Sequence, residues 1–381
     1  MNILIASDSF KGCMSSDQAN TQIAKGIHKA DPDIHCETFE ISDGGEGMVG
    51  AFAGCTDATL NSARTLDLYG KPIHALWAFD ASRQTACIEA ASVVGLTLYD
   101  HGRRKPMLSS SYGLGLLCKE VLRHKKVKKL VIGLGGTGCN DGGMGFCAAF
   151  GAVFYDRQRR PLMARTENLN KIAFIDKRSF RLPEGVELIA ACDVSNHLLG
   201  PQGATRIFGR QKGLSPLQIE QVERGMSQLN AKIDQTFHVD MNALPGSGAA
   251  GGLGGMLCGV FKARMVSGIE VLEQGGLKEK IAQADYVFTG EGQTDAQSAS
   301  GKVVSQVAKI AKKYQVPLIC ISGAMAAGCE KLYDQGVCAM FSTADRAMSF
   351  PFALAHGPEK LEQEAYNLML LILAAERRKN R

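Results

Sequence analysis

One arrangement opens this chain and returns near its C-terminal end: a short apolar strand, a glycine-rich acidic turn, then an amphipathic helix. At the front, "NILIA" leads into a Ser/Asp-rich turn, and "DQANTQIAKGIHKA" places Ala19, Ile23 and Ile27 at helical spacing before "DPD" ends the helix. "IHCETFEIS" reads as the next strand and runs into "DGGEG". At the back, "DYVFTGEG" is strand then glycine turn, and "KVVSQVAKIAKKY" predicts a helix with Val303, Val307, Ile310 and Tyr314 on one face. "VPLICISG", a helix around "CEKLYDQG", the strand "CAMFS" and a closing helix over 358–377 complete this part. Strands alternating with helices predict a parallel, doubly wound sheet.

Residues 66–283 have a different texture, with long polar stretches, glycine clusters and the strand-like "ALWAFDASRQTACIEAA". At 381 residues the chain is too long for one ordinary core. The predicted fold class is therefore α/β: a Rossmann-like parallel-sheet domain, discontinuous in sequence (1–65 and 284–381), with a second α/β domain (66–283) inserted.

Composition excludes several classes. The formal net charge of +5 is modest, and the basic clusters "RHKKVKK", "RQRR" and "ERRKNR" are not interleaved with aromatics, so no nucleic-acid partner is expected. No apolar run approaches the roughly 20 residues that span a bilayer, so no membrane is expected. The twelve cysteines contain no C-x-x-C and lie mostly in apolar or small-residue runs such as "LICIS" and "GMLCGVF", as buried thiols do. With no basic or long apolar leader in "MNILIASDSF", a reducing, cytoplasmic setting is expected. Nothing in the sequence specifies an oligomeric state.

Four clusters place glycine beside carboxylates, amides or lysine just past a predicted strand. They are Asp8-Ser9-Phe10-Lys11-Gly12, Asp43-Gly44-Gly45-Glu46-Gly47, the loop 133–145 with Gly135, Gly136, Thr137, Asn140 and Asp141, and Gly290-Glu291-Gly292 with Asp295. Ligands of open α/β sheets gather at the carboxyl ends of strands, where glycines let backbone N–H groups form an anion nest. Acids beside such nests make chemical sense when a divalent metal sits between carboxylate and phosphate. "ACDVSNHLLGPQGATRIFGRQKG" adds Asp193, Asn196, Arg206 and Lys212, and "PGSGAAGGLGG" offers backbone fit for close approach to a ligand.

Read literally, Gly133-x-Gly135-x-x-Gly138 is a dinucleotide fingerprint, with Asp156 about twenty residues on as the ribose ligand. Its sequel, Asn140-Asp141-Gly142-Gly143, puts polar side chains where such a helix wants small apolar packing, which argues against that reading. No G-x-x-x-x-G-K-[ST], H-R-D, D-F-G or H-E-x-x-H occurs, which removes the P-loop, protein-kinase and zincin templates.

Taken together and in order, "DSFKG", "DGGEG", "GLGGTGCNDGGMG", "ACDVSNHLLGPQGATRIFGRQKG", "PGSGAAGGLGG" and "TGEGQTDAQSASGK" resemble the bacterial-type (class I) glycerate kinases over nearly the whole chain. The resemblance implies ATP-dependent phosphorylation of D-glycerate to 2-phosphoglycerate with Mg2+, and an active site in the cleft between two α/β domains. The chain departs from the usual pattern at Ser7 (commonly proline), Gly138 and Cys139 (commonly Ala and Thr), Gln293 (commonly arginine) and Ser300 (commonly histidine). Under this resemblance Lys11, Asp43 and Asp193 are the expected catalytic residues. Asp8, Ser9, Gly135, Gly136, Thr137, Asn140, Asn196, Arg206, Lys212, Gly290, Asp295 and Lys302 are expected to bind substrate or ATP. Glu46, Asp141 and Glu291 are expected at the metal, with the division between proton acceptor and metal ligand left open among the carboxylates. A nicotinamide oxidoreductase and an inactive small-ligand-binding protein are the alternatives.

Overall fold

A computed structural model describes residues 1–124, 126–300 and 302–379, so Lys125, Gly301 and the two C-terminal residues of the basic clusters and "SGK" motif lie outside it, as does the Ser300 side chain. Fifteen strands occur among these residues. They are β1 (Asn2–Ile5), β2 (His35–Thr38), β3 (Thr59–Leu66), β4 (Pro72–Asp80), β5 (Thr85–Glu89), β6 (Lys129–Gly133), β7 (Val153–Tyr155), β8 (Phe174–Asp176), β9 (Glu187–Ala191), β10 (Arg264–Val266), β11 (Tyr286–Thr289), β12 (Gln293–Thr294), β13 (Leu318–Ser322), β14 (Ala324–Met325) and β15 (Val337–Ser342). The chain divides into two compact units: 1–43, 54–56 and 272–381 form one, 44–53 and 57–271 the other. Relative to the boundaries read from the sequence, 44–53 and 57–65 go with the inserted unit, the latter because β3 pairs along its whole length with β4 and the former held by backbone contact such as Gly135 N–H to Gly44 O. Helix Leu277–Gln283 goes with the discontinuous one.

The discontinuous unit carries an all-parallel sheet of order β15-β13-β11-β1-β2. From β1 the chain first moves outward to β2, and from β11 it moves the other way to β13 and β15. The order thus reverses between β1 and β11, the switch point at which such sheets bind ligands. Helix Ser16–Ala30 begins in a capping box of Ser15 and Gln18 and buries Ala19, Ile23 and Ile27 against the sheet, as their spacing predicts. It also packs on the closing helix so tightly that a Cβ on Gly26 would lie 2.3 Å from Glu362 O.

Three local expectations change. Strand β2 is shorter than "IHCETFEIS", and Tyr314 is 39% exposed although Val303, Val307 and Ile310 of its helix are buried. The closing helix begins at Phe350, with Pro358 inside it. Proline has no N–H to give the carbonyl four residues back. That carbonyl, Leu354 O, instead accepts the Cys13 Sγ–H at 3.1 Å, so the helix runs through the position at which the sequence suggested a start.

The inserted unit is built on a six-stranded sheet of order β10-β9-β6-β5-β4-β3, parallel from β10 to β5 and antiparallel beyond. Its core runs from Trp77 and Ile88 through Ile132, Phe146 and Phe154 to Met256 and Phe261. Most cysteines are buried, while Cys338 is exposed. Among the described residues no helix is long and apolar enough to cross a membrane.

Candidate active site

In the discontinuous unit, two polar side chains of the first helix shape the loops that carry the candidate residues. Asn20 is fully buried; its Oδ1 accepts the Ser7 N–H at 2.9 Å and its Nδ2 donates to Phe39 O at 3.0 Å. Ser16 Oγ donates to Ser7 O at 2.6 Å and accepts the Ile41 N–H at 3.0 Å. The chain leaving β1 and the chain leaving β2 are thereby held to one helix. The β1 loop is also tied across the switch point, since the Asp8 N–H donates to Gly290 O at 2.9 Å and Thr289 Oγ1 donates to Ala6 O at 2.7 Å. Gly290 has no room for a side chain: a Cβ there would meet Ile321 O at 2.0 Å.

These ties bring Asp8, Lys11, Asp43 and Glu291 into one electrostatic group. Lys11 Nζ lies 2.8 Å from Asp43 Oδ2, with the lysine side chain 72% exposed and the aspartate 20%. Desolvation works against the Lys11 ammonium, but Asp43, Asp8 and Glu291 outweigh it and raise its pKa above the ordinary lysine value. Asp8 is buried beside Ser9, whose N–H donates to Oδ1 at 2.7 Å. Burial, then the Asp43 charge, push the Asp8 carboxyl well above the usual carboxylate range against the opposing pull of Lys11. Glu291 is buried as well, and burial raises its pKa although Ser298, Lys302 and Thr294 draw it back. Thr294 Oγ1 donates to Glu291 Oε1 at 3.2 Å and shares a hydrogen bond with Ser322. Asp295 turns its own loop, accepting from the Gln297 and Ser298 amides at 2.7 and 3.3 Å, and Gln293 reaches the same carboxylate. Lys302 caps the helix Val303–Tyr314 through its backbone.

In the inserted unit the loop after β6 crosses the ends of the parallel strands. Gly136 has φ +70°, which favours glycine, and the loop is bound on both sides: Gly138 N–H donates to Val94 O at 2.7 Å and Gly135 N–H to Gly44 O at 2.9 Å. Lys212 is 3% exposed, with Nζ 2.6 Å from Cys139 O and 3.4 Å from Thr137 Oγ1. No carboxylate lies within ion-pair distance of it among the described residues, and burial lowers its pKa. A buried ammonium with only neutral acceptors gains from any anion brought to it. Asn140 donates to Thr205 Oγ1 at 3.1 Å, and its buried Oδ1 has no hydrogen-bond partner among the described residues.

The remaining expected residues have the following surroundings. Asp141 is fully buried; Oδ2 accepts from Ser111 N and Oγ and from Gly145 N at 2.7, 2.9 and 3.0 Å, and Oδ1 from Gly143 N at 3.1 Å. Four donors occupy both oxygens, so this carboxylate organises the helix start instead of facing outward. Arg206 pairs with Glu220 at 2.7 Å and lies 3.9 Å from Glu223. Asn196 donates to Gln202 O at 2.8 Å, and Asp193 Oδ1 accepts the Gly268 N–H at 3.2 Å. Glu46 is exposed. Asp156 closes the turn after β7, accepting from the Gln158 and Arg160 amides and the Arg160 side chain. The helix after the glycine loop begins only at Met144, so neither part of the dinucleotide fingerprint has its geometry. The sequence reading missed Glu89, whose buried carboxylate meets the amides that follow "DGGEG". It lay in an ordinary strand pattern, with no glycine to mark it.

A family model described as the glycerate kinase family matches residues 3–373. Glycerate kinase of Halalkalibacterium halodurans is 34% identical over 372 residues, 97% of each chain. Glycerate 2-kinase of Escherichia coli K12 is 36% identical over 345 residues, 90% of each chain. A crystal structure assigned as glycerate kinase 2 of Salmonella typhimurium LT2 superposes with a TM-score of 0.79 at 33% identity, covering 99% of both chains.

Proposed function

The chain belongs to the glycerate kinase family, and we propose that it moves the γ-phosphoryl group of ATP to the 2-hydroxyl of D-glycerate, giving 2-phosphoglycerate and ADP in the cytoplasm. The observation that carries this reading is the group at the β1/β11 switch point, where one lysine stands among three carboxylates. Phosphoryl transfer asks the protein chiefly for positioning and for neutralisation of charge on the transferred group. Lys11, aimed by Asp43, supplies that charge. Asp8, its proton affinity raised by burial and by Asp43, accepts the hydroxyl proton as the substrate oxygen attacks phosphorus and the bond to ADP breaks. In the inserted unit, the Gly136 and Thr137 amides, which donate to no backbone carbonyl among the described residues, and the Lys212 ammonium suit phosphate oxygens.

A magnesium ion fits this donor set in one way. Among the described residues no group of three or more His, Cys, Asp or Glu could hold a metal. Magnesium in kinases is usually held by one or two carboxylates, with phosphates and waters completing its shell, so no such cage is needed. Glu291, buried with hydroxyl donors and with the Lys302 and Lys11 charges nearby, is the carboxylate that would hold it, with Asp295 on the same turn. Bound there, the ion would neutralise charge on the phosphates.

Two measurements test the reading. Magnesium–ATP at about 100 times its dissociation constant should add roughly 2.7 kcal/mol of stability in a thermal-shift assay, and NAD should add none. A shift with NAD alone would restore the oxidoreductase reading. Phosphorus NMR of the product should show 2-phosphoglycerate, whereas 3-phosphoglycerate would keep the kinase and overturn the substrate pose.

A further inference from the structure

At the carboxyl end of β5, Glu89 is the register partner of Gly133, and the next amide, Ala90 N–H, donates to Gly133 O at 2.8 Å. The Glu89 side chain is directed at the segment after "DGGEG". Val49 N–H donates to Oε2 at 3.1 Å, and the Met48 and Gly47 amides interact with the same carboxylate. These N–H groups open the helix Met48–Cys55, where no preceding helical turn supplies acceptors; the Met48 N–H also reaches Gly45 O at 3.4 Å. Just before them, the Gly44–Gly47 turn rests backbone on backbone against its neighbours. Gly44 O accepts the Gly135 N–H at 2.9 Å; a Cβ on Gly135 would come within 2.5 Å of Gly45 Cα, and one on Gly44 within 2.5 Å of Ala191 O. One end of the turn is thus wedged between the ends of β6 and β9, and Glu89 holds the other.

We propose that Glu89 is a positioning residue, which fixes the register of the Gly44–Gly47 turn against the 133–137 loop and so sets where the Gly136 and Thr137 amides of that loop meet the phosphate donor. The inference rests on the phosphate role proposed above for the 133–137 loop. It assigns Glu89 no contact with substrate. Its effect passes through the backbone pair Gly44–Gly135, so it should appear in the affinity for the donor and leave the chemical step nearly intact.

The test compares Glu89→Leu, which removes the acceptor at similar bulk, with Glu89→Gln, which keeps one carbonyl oxygen. Steady-state kcat and KM would be measured separately for magnesium–ATP and D-glycerate, alongside hydrogen exchange over residues 44–53. Glu89→Leu should raise the ATP KM about tenfold or more and change kcat by less than about threefold. Residues 44–53 should exchange faster while β5, β6 and β9 keep their protection, and Glu89→Gln should recover most of the loss. An unchanged ATP KM, a rise confined to glycerate, or unaltered exchange over 44–53 overturns the proposal. Should Glu89→Leu fail to fold, Glu89→Gln decides alone: its ATP KM should rise about two- to fivefold with faster exchange over 44–53, and wild-type values of both overturn the proposal. A wild-type protein that turns over no ATP with glycerate sinks the functional reading instead. Exchange over 44–53 then decides whether Glu89 holds the turn.

Discussion

Replacing Lys11 by methionine should lower kcat by about 10²- to 10³-fold, the usual loss when a positioned donor to developing charge is removed. The melting temperature should stay within a few degrees of wild type. The two expectations separate because the Lys11–Asp43 pair is solvent-exposed on the lysine side, and exposed pairs contribute only about 0–1 kcal/mol to stability. The lysine matters for a different reason: it is the cation that Asp8, Asp43 and Glu291 share. Without it, Asp8 loses its main charge partner, and the proton affinity of its carboxyl rises further. Lys11→Arg should recover only part of the rate, since a planar guanidinium does not reproduce a compact ammonium. Near-normal kcat in Lys11→Met, measured at saturating magnesium–ATP and glycerate, would remove Lys11 from the reaction.

The alternation of strand and helix at the two ends of the chain made the discontinuous parallel sheet legible. Its apolar positions are local and periodic, and Ala19, Ile23, Ile27, Val303 and Val307 are buried as their spacing requires. The glycine–carboxylate loops were legible for the same reason, being short runs of unusual residues at strand ends. Which carboxylate does what was not legible. Asp8 and Asp141 look alike in sequence, each beside a glycine loop. Yet Asp8 has one amide donor at short range and a second carboxylate pressing on it, whereas Asp141 has four donors. That difference comes from long-range partners such as Ser111, thirty residues from Asp141. The sequence points to Arg206 as a binder of substrate or ATP because nothing local in it reveals Glu220 and Glu223, one turn apart on another helix, as its partners. Glu89 was passed over because a strand-end glutamate has no local signature, and its partners come from forty residues earlier.

Asp141→Ala should destabilise the inserted unit by about 3 kcal/mol or more, because four donors lose their acceptor and a buried unsatisfied donor costs about 1–3 kcal/mol. For a unit of this size that is a fall of roughly 6–12 °C in melting temperature. Asp141→Asn should lie between this variant and wild type. The three donors from Ser111 and Gly145 converge on Oδ2, so the amide oxygen will take that place and its NH2 will be turned toward the Gly143 N–H. Only one of the four hydrogen bonds is then exchanged for a clash of donors. The same variant separates a scaffold from a metal ligand. If Asp141 only orders the backbone, folded Asp141→Asn will melt earlier and need no more magnesium than wild type for half-maximal rate. A wild-type melting temperature together with a raised magnesium requirement would return Asp141 to the metal, and its four donors would then have to rearrange when the metal binds.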